Sequence, residues 1–368
     1  MAEPLRNHFG PEIARRIAAM IAKVHPAFAS KDFVAQALDG YDALDLMARG
    51  RKIAHALRRH LPPDYPRAVK ILVDSLGPPL AKTEGNGMAP FVYMPHVFFV
   101  AEYGLDHFEA SIAAQHALTQ RFTAEFSIRP FLERHPQATL EQLRRWARDP
   151  SKHVRRLVSE GSRPRLPWAP RLRAFQEDPR PVLELLELLK DDPELYVRRS
   201  VANNLNDIGK DHPEVLVEVA KRWLKDADGN RRWIVGHALR SAVKRGEAGA
   251  LAVLGFGATA RVAIGNAAIT PRRVAAGGAV TIAFDVASTH SRFQRVLVDF
   301  RIHFVKARGA SPKVFKMKAI GLAPRESRRL AKKVSLAQMT TRRHYPGKHA
   351  VEVVVNGRAE PLGLFELI

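Results

Sequence analysis

The chain has 368 residues, of which 46% are hydrophobic, enough for two or three domains with cores of their own. Lysine and arginine number 59 against 37 acids, a formal net charge of +22 with a pI near 10.6, so the expected partner is an anion: DNA, RNA or an acidic membrane. The absence of cysteine excludes disulfides, thiol nucleophiles, zinc knuckles and iron-sulfur ligation, and fits a reducing compartment.

From Pro11 to about Val253 apolar residues recur every three or four positions and the breaks fall at proline, glycine and aspartate. IARRIAAMIAKV and YPRAVKILVDSLG show this helical texture. The longest apolar run, MAPFVYMPHVFFVA, is broken by two prolines and a histidine and is too short to span a bilayer. With no signal-peptide core at the N-terminus, the expectation is a soluble protein of the bacterial cytoplasm or nucleoid, with no membrane partner.

Further along, DPSKHVRRLVSEG at Asp149 is followed forty-three residues later by DPELYVRRSVANNL at Asp192. Wound as helices, these place Val154, Leu157 and Val158 on one core-facing side, and Val197 and Val201 on the matching side of the copy. Lys152, Arg156 and Glu160 then form an opposite, solvent-facing stripe, matched by Arg199, Asn203 and Asp207. The register extends back to Arg121, with Glu125 four residues on, and forward to Arg232, Gly236 and Arg240. Four such helices spaced by 33 to 43 residues predict stacked helical pairs of the HEAT kind, an all-α solenoid presenting one helix per repeat along a concave wall. Glu125, Glu160 and Asn203 are expected in a row across that wall, with Asp207 one turn along.

Arginines along a curved wall suit a phosphate backbone. Pairing of Arg121 with Glu125 and of Arg156 with Glu160 is the plainer explanation, but Asn203 and Gly236 offer Arg199 and Arg232 no such partner. A shared external anion accounts for all four. Acids inside such a groove repel phosphate, and attraction for a cationic substrate is the simplest reason for their presence. A base alkylated on a ring nitrogen carries that charge, and breaking its glycosidic bond leaves an oxocarbenium-like sugar that carboxylates also favour.

After about Gly255 the pattern changes to alternation, in VTIAFDVAS, VLVDFRIHFV and HAVEVVVNG. Seven or so strands in about 110 residues predict a smaller all-β immunoglobulin-like sandwich over residues 256–368, behind a helical domain over 1–255. The boundary is expected near Gly255 to Ala260, with GEAGALAVLGFGATA as a short linker and His349 where such domains often carry a tyrosine. The basic segments SPKVFKMKA and ESRRLAKKV are candidates to wrap the far side of a bent duplex. No HExxH, GxSxG or GxxxxGK motif occurs and no carboxylate or histidine cluster has metal-ligand spacing, so neither metal nor cofactor is expected.

The segments LTQRFTAEFSIRPFL, HVRRLVSEGSRPRLPW, VRRSVANNLNDIGKDHP and GNRRWIVGHALR resemble the AlkC-type alkylbase DNA glycosylases, relatives of AlkD built from HEAT-like repeats. The resemblance spans most of the first 250 residues, and the β tail resembles the immunoglobulin-like extension of one AlkC subgroup. It implies a monomeric, monofunctional glycosylase of double-stranded DNA. Such an enzyme excises cationic lesions such as 3-methyladenine and 3-methylcytosine without full extrusion of the base, leaving an abasic site. It also implies Glu125, Glu160 and Asp207 as catalytic acids, with Trp168 as the nearby aromatic; Asn203, in the row of the stripe, is a further candidate substrate contact. Lys152, His153, Arg155, Arg156, Arg163, Arg165, Arg199, Asn204, Arg231, Arg232, Trp233, His237 and Arg240 are the candidate DNA contacts around them. No lysine is apparent at the cleft, so Schiff-base lyase chemistry is not expected. The alternative from another class is a non-catalytic HEAT scaffold for nucleic acid or a protein partner, against which the acids in the basic wall speak.

Overall fold

A computed structural model describes residues 4–257, 260–338 and 343–368; residues 258–259, inside the expected linker and boundary, lie outside the described residues. The periodic part folds into helices α1 (Glu12–Val24), α2 (Ser30–Leu38), α3 (Leu46–His60), α4 (Tyr65–Asp74), α5 (Met94–Tyr103), α6 (Phe108–Thr119), α7 (Glu125–Arg134) and α8 (Pro136–Trp146). It continues through α9 (Lys152–Gly161), α10 (Arg173–Glu177), α11 (Arg180–Leu189), α12 (Leu195–Ile208), α13 (Pro213–Leu224), α14 (Gly229–Ala238), α15 (Arg240–Arg245) and α16 (Ala248–Val253). Asp45 and Asp64 cap α3 and α4 by accepting from the Ala48 and Arg67 amides, first-turn donors that no helical bond reaches. Among the described residues no helix is long and apolar enough to cross a membrane.

The chain forms two compact units, Glu3–His212 with Asp226–Ala238, and Pro213–Lys225 with Leu239–Ile368. In the first, α3, α5, α7, α9, α12 and α14 pack one against the next in a single row, while α4 with α6 and α8 with α11 make a second layer. This is the solenoid the repeat implies. Val154, Leu157, Val158, Val197 and Val201 are fully buried, so the apolar face of each repeat is core. Gly161 closes α9 where it meets α7: a Cβ there would lie 2.5 Å from the Ile128 methyl, so only glycine allows the approach.

The second unit contains the sandwich together with α13, α15 and α16, and the stretch read as a linker is itself helical over Ala248–Val253. Its strands are β1 (Val262–Thr270), β2 (Arg273–Val274), β3 (Ala279–Ser288), β4 (Gln294–Val305), β5 (Ala310–Leu322), β6 (Ser327–Ser335), β7 (Gly347–Val355) and β8 (Arg358–Leu367). They form a three-stranded sheet, β1-β3-β6, and a five-stranded sheet, β2-β8-β7-β4-β5. Alternation sets the core: Val280, Ile282, Phe284 and Val286 of β3 face Val298, Phe300 and Ile302 of β4 and Val351 and Val353 of β7. His349 takes a buried bridging place, accepting from the Val305 amide at 3.2 Å and bonding the Tyr345 carbonyl at 3.2 Å. SPKVFKMKA and ESRRLAKKV form the edge strands β5 and β6.

Candidate active site

The two Asp-Pro turns start α9 and α12 by the same device. Asp149 accepts from the Ser151 amide and Asp192 from the Glu194 amide. The first arginine of each repeated pair then folds back onto its own turn: Arg155 donates to the Asp149 and Pro150 carbonyls, Arg198 to those of Asp192 and Pro193. Arg155 also makes a bidentate pair with Asp192 of the next repeat, at 2.6 and 3.2 Å. The repeat therefore writes a staple between successive helices, and Arg155 belongs to it rather than to a free DNA surface.

The second arginine of the first repeat builds the site. Arg156 reaches Glu125 at 2.5 Å and Glu160 at 3.5 Å, and Arg163 joins Glu160 at 2.6 Å to Asp207 at 2.8 Å. Lys210 closes the far end against Asp207 at 2.8 Å. Three acids and three cations thus alternate across α7, α9 and α12, with the carboxylate side chains of Glu125, Glu160 and Asp207 only 12%, 8% and 2% exposed. Thr123 donates to Glu125 at 2.8 Å and Ser200 to Glu160 at 2.6 Å. The structure brings the three acids together, but Glu160 and Asp207, at the C-terminal ends of their stripes, are buried against neighbouring helices, while Lys152 and Arg199 at the N-terminal ends stay at least partly exposed.

Electrostatics follow from that burial. Desolvation opposes ionisation of Glu160, yet the Arg156 and Arg163 guanidiniums and the Ser200 hydroxyl outweigh it and hold the carboxyl below its ordinary range. Burial likewise works against charge on Arg156 and Arg163, and the flanking carboxylates overcome it, so both stay firmly protonated. Glu160, Arg156 and Arg163 are therefore all charged at neutral pH.

Beyond α9, the loop through Pro167 lays Trp168 in the open, 66% exposed, with φ +65. A bulky residue adopts that conformation at a cost of about 1–3 kcal/mol, so the surroundings must impose it. Arg129 of α7 imposes it: its buried guanidinium donates to the carbonyls of Gly161, Arg163 and Pro170, pinning both ends of the loop. Burial pushes the Arg129 pKa down to about 10, still far above neutrality. A cavity of about 270 Å³ opens between this loop and the helices, with Glu125, Glu160 and Arg163 on one side and Met47, Phe91, Met94, Phe126 and Trp168 on the others.

Several other expectations change in three dimensions. Arg121 lies in the turn between α6 and α7, donating to the Gly77 and Ala117 carbonyls, so it neither pairs with Glu125 nor shares the arginine row. His153 is buried against the Leu80 carbonyl, and Asn204 is buried with its amide on the Ser159 carbonyl and the Ser162 hydroxyl. Arg165 is bidentate on Asp211, and Arg231 on Asp191. These residues, with Arg156 and Arg163, are tied into the protein because each lies within reach of an acid or carbonyl from a neighbouring repeat. Asn203 leaves the expected row for His237, at 3.2 Å, and His237 stacks on Trp233 with ring centroids 4.9 Å apart. Arg240 begins α15, past the end of α14, so the stripe does not continue to it. Sequence reading missed Arg129, Ser200 and Lys210; Lys210 stands one turn beyond Asp207, a spacing that could have revealed it.

Lys152, Arg199, Arg232 and Trp233 remain at least partly exposed, with Arg199 in a surface pair with Glu84 at 2.9 Å. Such a pair contributes about 1 kcal/mol at most, little enough for a phosphate to replace it. Arg232→Ala is expected to weaken binding to any duplex alike and to flatten the plot of log affinity against log salt by about one unit of slope. A titration of undamaged DNA at several salt concentrations checks this, and an unchanged slope would remove Arg232 from the interface. Among the described residues no group of three or more His, Asp or Glu side chains could hold a metal ion.

Residues 118–245 match the family model described as DNA alkylation repair enzyme, and residues 263–368 match the one described as Uncharacterised protein YhaZ, C-terminal Ig-like domain. The chain is 36% identical to YhaZ of Bacillus subtilis (strain 168) over 358 residues, 97% of each protein. It also superposes on the Pseudomonas fluorescens alkylpurine DNA glycosylase AlkC, solved bound to DNA containing an abasic site analog, with a TM-score of 0.91, 39% identity and full coverage of both chains. By sequence and fold along its whole length, the chain belongs to the AlkC family of alkylbase DNA glycosylases, in the subgroup with a C-terminal immunoglobulin-like domain.

Proposed function

We propose that the protein is a DNA repair glycosylase that hydrolyses the N-glycosidic bond of cationic alkylated bases such as 3-methyladenine and 3-methylcytosine in duplex DNA. The base leaves without full extrusion of its nucleotide, and an abasic site remains. In this reading residues 1–255 supply the glycosylase and the β-sandwich adds DNA contact through its basic edge strands, the protein acting as a monomer. The observation that carries it is the buried array in which Glu125, Glu160 and Asp207 alternate with Arg156, Arg163 and Lys210, beside an exposed tryptophan.

As the C1′–N bond breaks, its electron pair stays on the base nitrogen and positive charge passes to the sugar. Carboxylates already fixed in place stabilise that charge without reorganising, the arrangement that contributes most in a water-poor site. A carboxylate can then accept a proton from the water that adds to C1′. The guanidiniums of Arg156 and Arg163 serve this chemistry indirectly, by keeping Glu160 ionised and by holding Glu125 and Asp207 in place.

Incubation with methylated duplex DNA in the presence of a chelator, followed by mass spectrometry of free bases, tests the reading. Release of 3-methyladenine is expected. Binding with no base released in a folded preparation favours the scaffold alternative.

Lys210 brings an amine to the edge of the site, but it is tied to Asp207 at 2.8 Å and is not among the residues lining the cavity beside Glu125 and Glu160. Borohydride added during turnover is therefore expected to trap no protein-DNA adduct. A trapped adduct abolished by Lys210→Arg would make the enzyme bifunctional.

A further inference from the structure

The cavity beside the acids has two unlike sides. Its polar lining is Thr123, Glu125, Glu160 and Arg163, each carboxylate matched by a guanidinium, and the rest is apolar, mostly thioether and aromatic surface from Met47, Phe91, Met94, Phe122, Phe126 and Trp168. Met94 is part of the buried core, Met47, Phe91, Phe122 and Phe126 pack against that core while partly exposed, and Trp168 is the most open part of the lining. Its volume, about 270 Å³, is nearly twice the ~150 Å³ at which an apolar protein cavity already binds benzene, which makes room for a two-ring base.

The reaction supplies a ligand for such a place. Before cleavage the alkylated base is a cation. The C1′–N bond breaks heterolytically, both electrons stay on the ring nitrogen, and the base departs neutral while the sugar takes the charge and then a hydroxyl from water. The carboxylates that held the base thereafter attract the sugar. What the departing base has gained is affinity for apolar, polarisable surface, and that surface begins where the carboxylates end.

We propose that this cavity is a product-base site: it takes the excised, neutral methylated purine between Trp168 and the methionine-aromatic floor. There it keeps the leaving nitrogen away from C1′ while water adds. The inference rests on the glycosylase reading but does not require a flipped nucleotide, because the base enters only after it has parted from the backbone.

The test is equilibrium dialysis of radiolabelled 3-methyladenine against the full-length protein bound to a duplex carrying a stable abasic-site analogue. Saturable binding of one base per protein is expected. Met47→Trp, which fills the cavity, and Trp168→Ala, which removes its stacking wall, should each lower that affinity about tenfold or more. Heat-induced cooperative unfolding reports whether each variant is folded, and the exposed position of Trp168 keeps the experiment decisive if Met47→Trp is not. No saturable binding to the wild-type complex, or binding undiminished in the folded variants, overturns the proposal. An excision assay run alongside separates the two readings: bases released without retention leave the glycosylase standing and remove the product site. Retention without release leaves a base-binding cavity in a protein that is not a glycosylase.

Discussion

Glu160→Gln is expected to lower the single-turnover rate of 3-methyladenine release by about 100- to 1,000-fold, the range seen when one preorganised electrostatic contact is removed from an active site. The substitution keeps the side-chain volume and can still accept from Ser200, which donates to Glu160 at 2.6 Å, so the helix pair should stay assembled. What it removes is the negative charge between Arg156 and Arg163, leaving two guanidiniums nearer to the place where a sugar cation forms. For the same reason affinity for undamaged DNA should be equal or higher, since the groove has lost a charge that repels phosphate. Rates on methylated duplex and affinities on unmodified duplex, measured on one preparation, decide it. Parallel loss of both would mark Glu160 as a structural residue.

Arg163→Met should cost about 3–5 kcal/mol of stability at pH 7, the penalty for removing one partner of a buried charge pair. The cost should sit at the upper end because Arg163 serves two acids at once, Glu160 at 2.6 Å and Asp207 at 2.8 Å, with only Lys210 and the more distant Arg156 left to compensate them. The pH dependence identifies the cause. In the wild type the Glu160 carboxyl is held below its ordinary value near 4.5, so its contribution is complete above that value and is lost as pH falls through the folded-state value. In the variant burial is no longer opposed as strongly, the carboxyl protonates more readily, and the unpaired charge disappears on mild acidification. Urea denaturation at pH 7 and at pH 4 should therefore show the gap between the two proteins narrowing as pH falls. A gap of constant size would attribute the loss to packing alone.

Much of the candidate site was within reach of the sequence because Glu125 and Glu160 stand at matched repeat positions, with Asp207 one turn beyond the third, and all three lie in segments that resemble the family's. Glu125, Glu160 and Asp207 come together across α7, α9 and α12, as the stacked-repeat reading requires. Their partners were not legible. Arg156 meets Glu125 across 31 residues, Arg163 meets Asp207 across 44, and Arg129 reaches Pro170 across 41. Nothing local to any of these residues encodes such a meeting, and so Arg156 and Arg163, which read as DNA contacts, are internal counter-ions, while Arg199 and Arg232 stay exposed. Arg121 shows the same limit from the other side: its spacing matched the repeat, but the chain had already left α6, and its guanidinium went to backbone carbonyls instead.

By itself the sequence determined the helices, the change to strands after about Gly255, and which apolar residues are core. Val154, Leu157 and Val158 in the solenoid and Val280, Ile282 and Phe284 in the sandwich are buried as their periods demand. These follow from backbone geometry, which places side chains at fixed angles whatever lies nearby. Only the tertiary structure decided that the Glu160 end of the α9 stripe turns into a neighbouring helix, that its carboxylate is ionised inside a protein rather than in water, and that a tryptophan is held open beside it. Those outcomes depend on how far one helix lies from the next, and a charge responds to every neighbour within a few ångströms regardless of its distance along the chain.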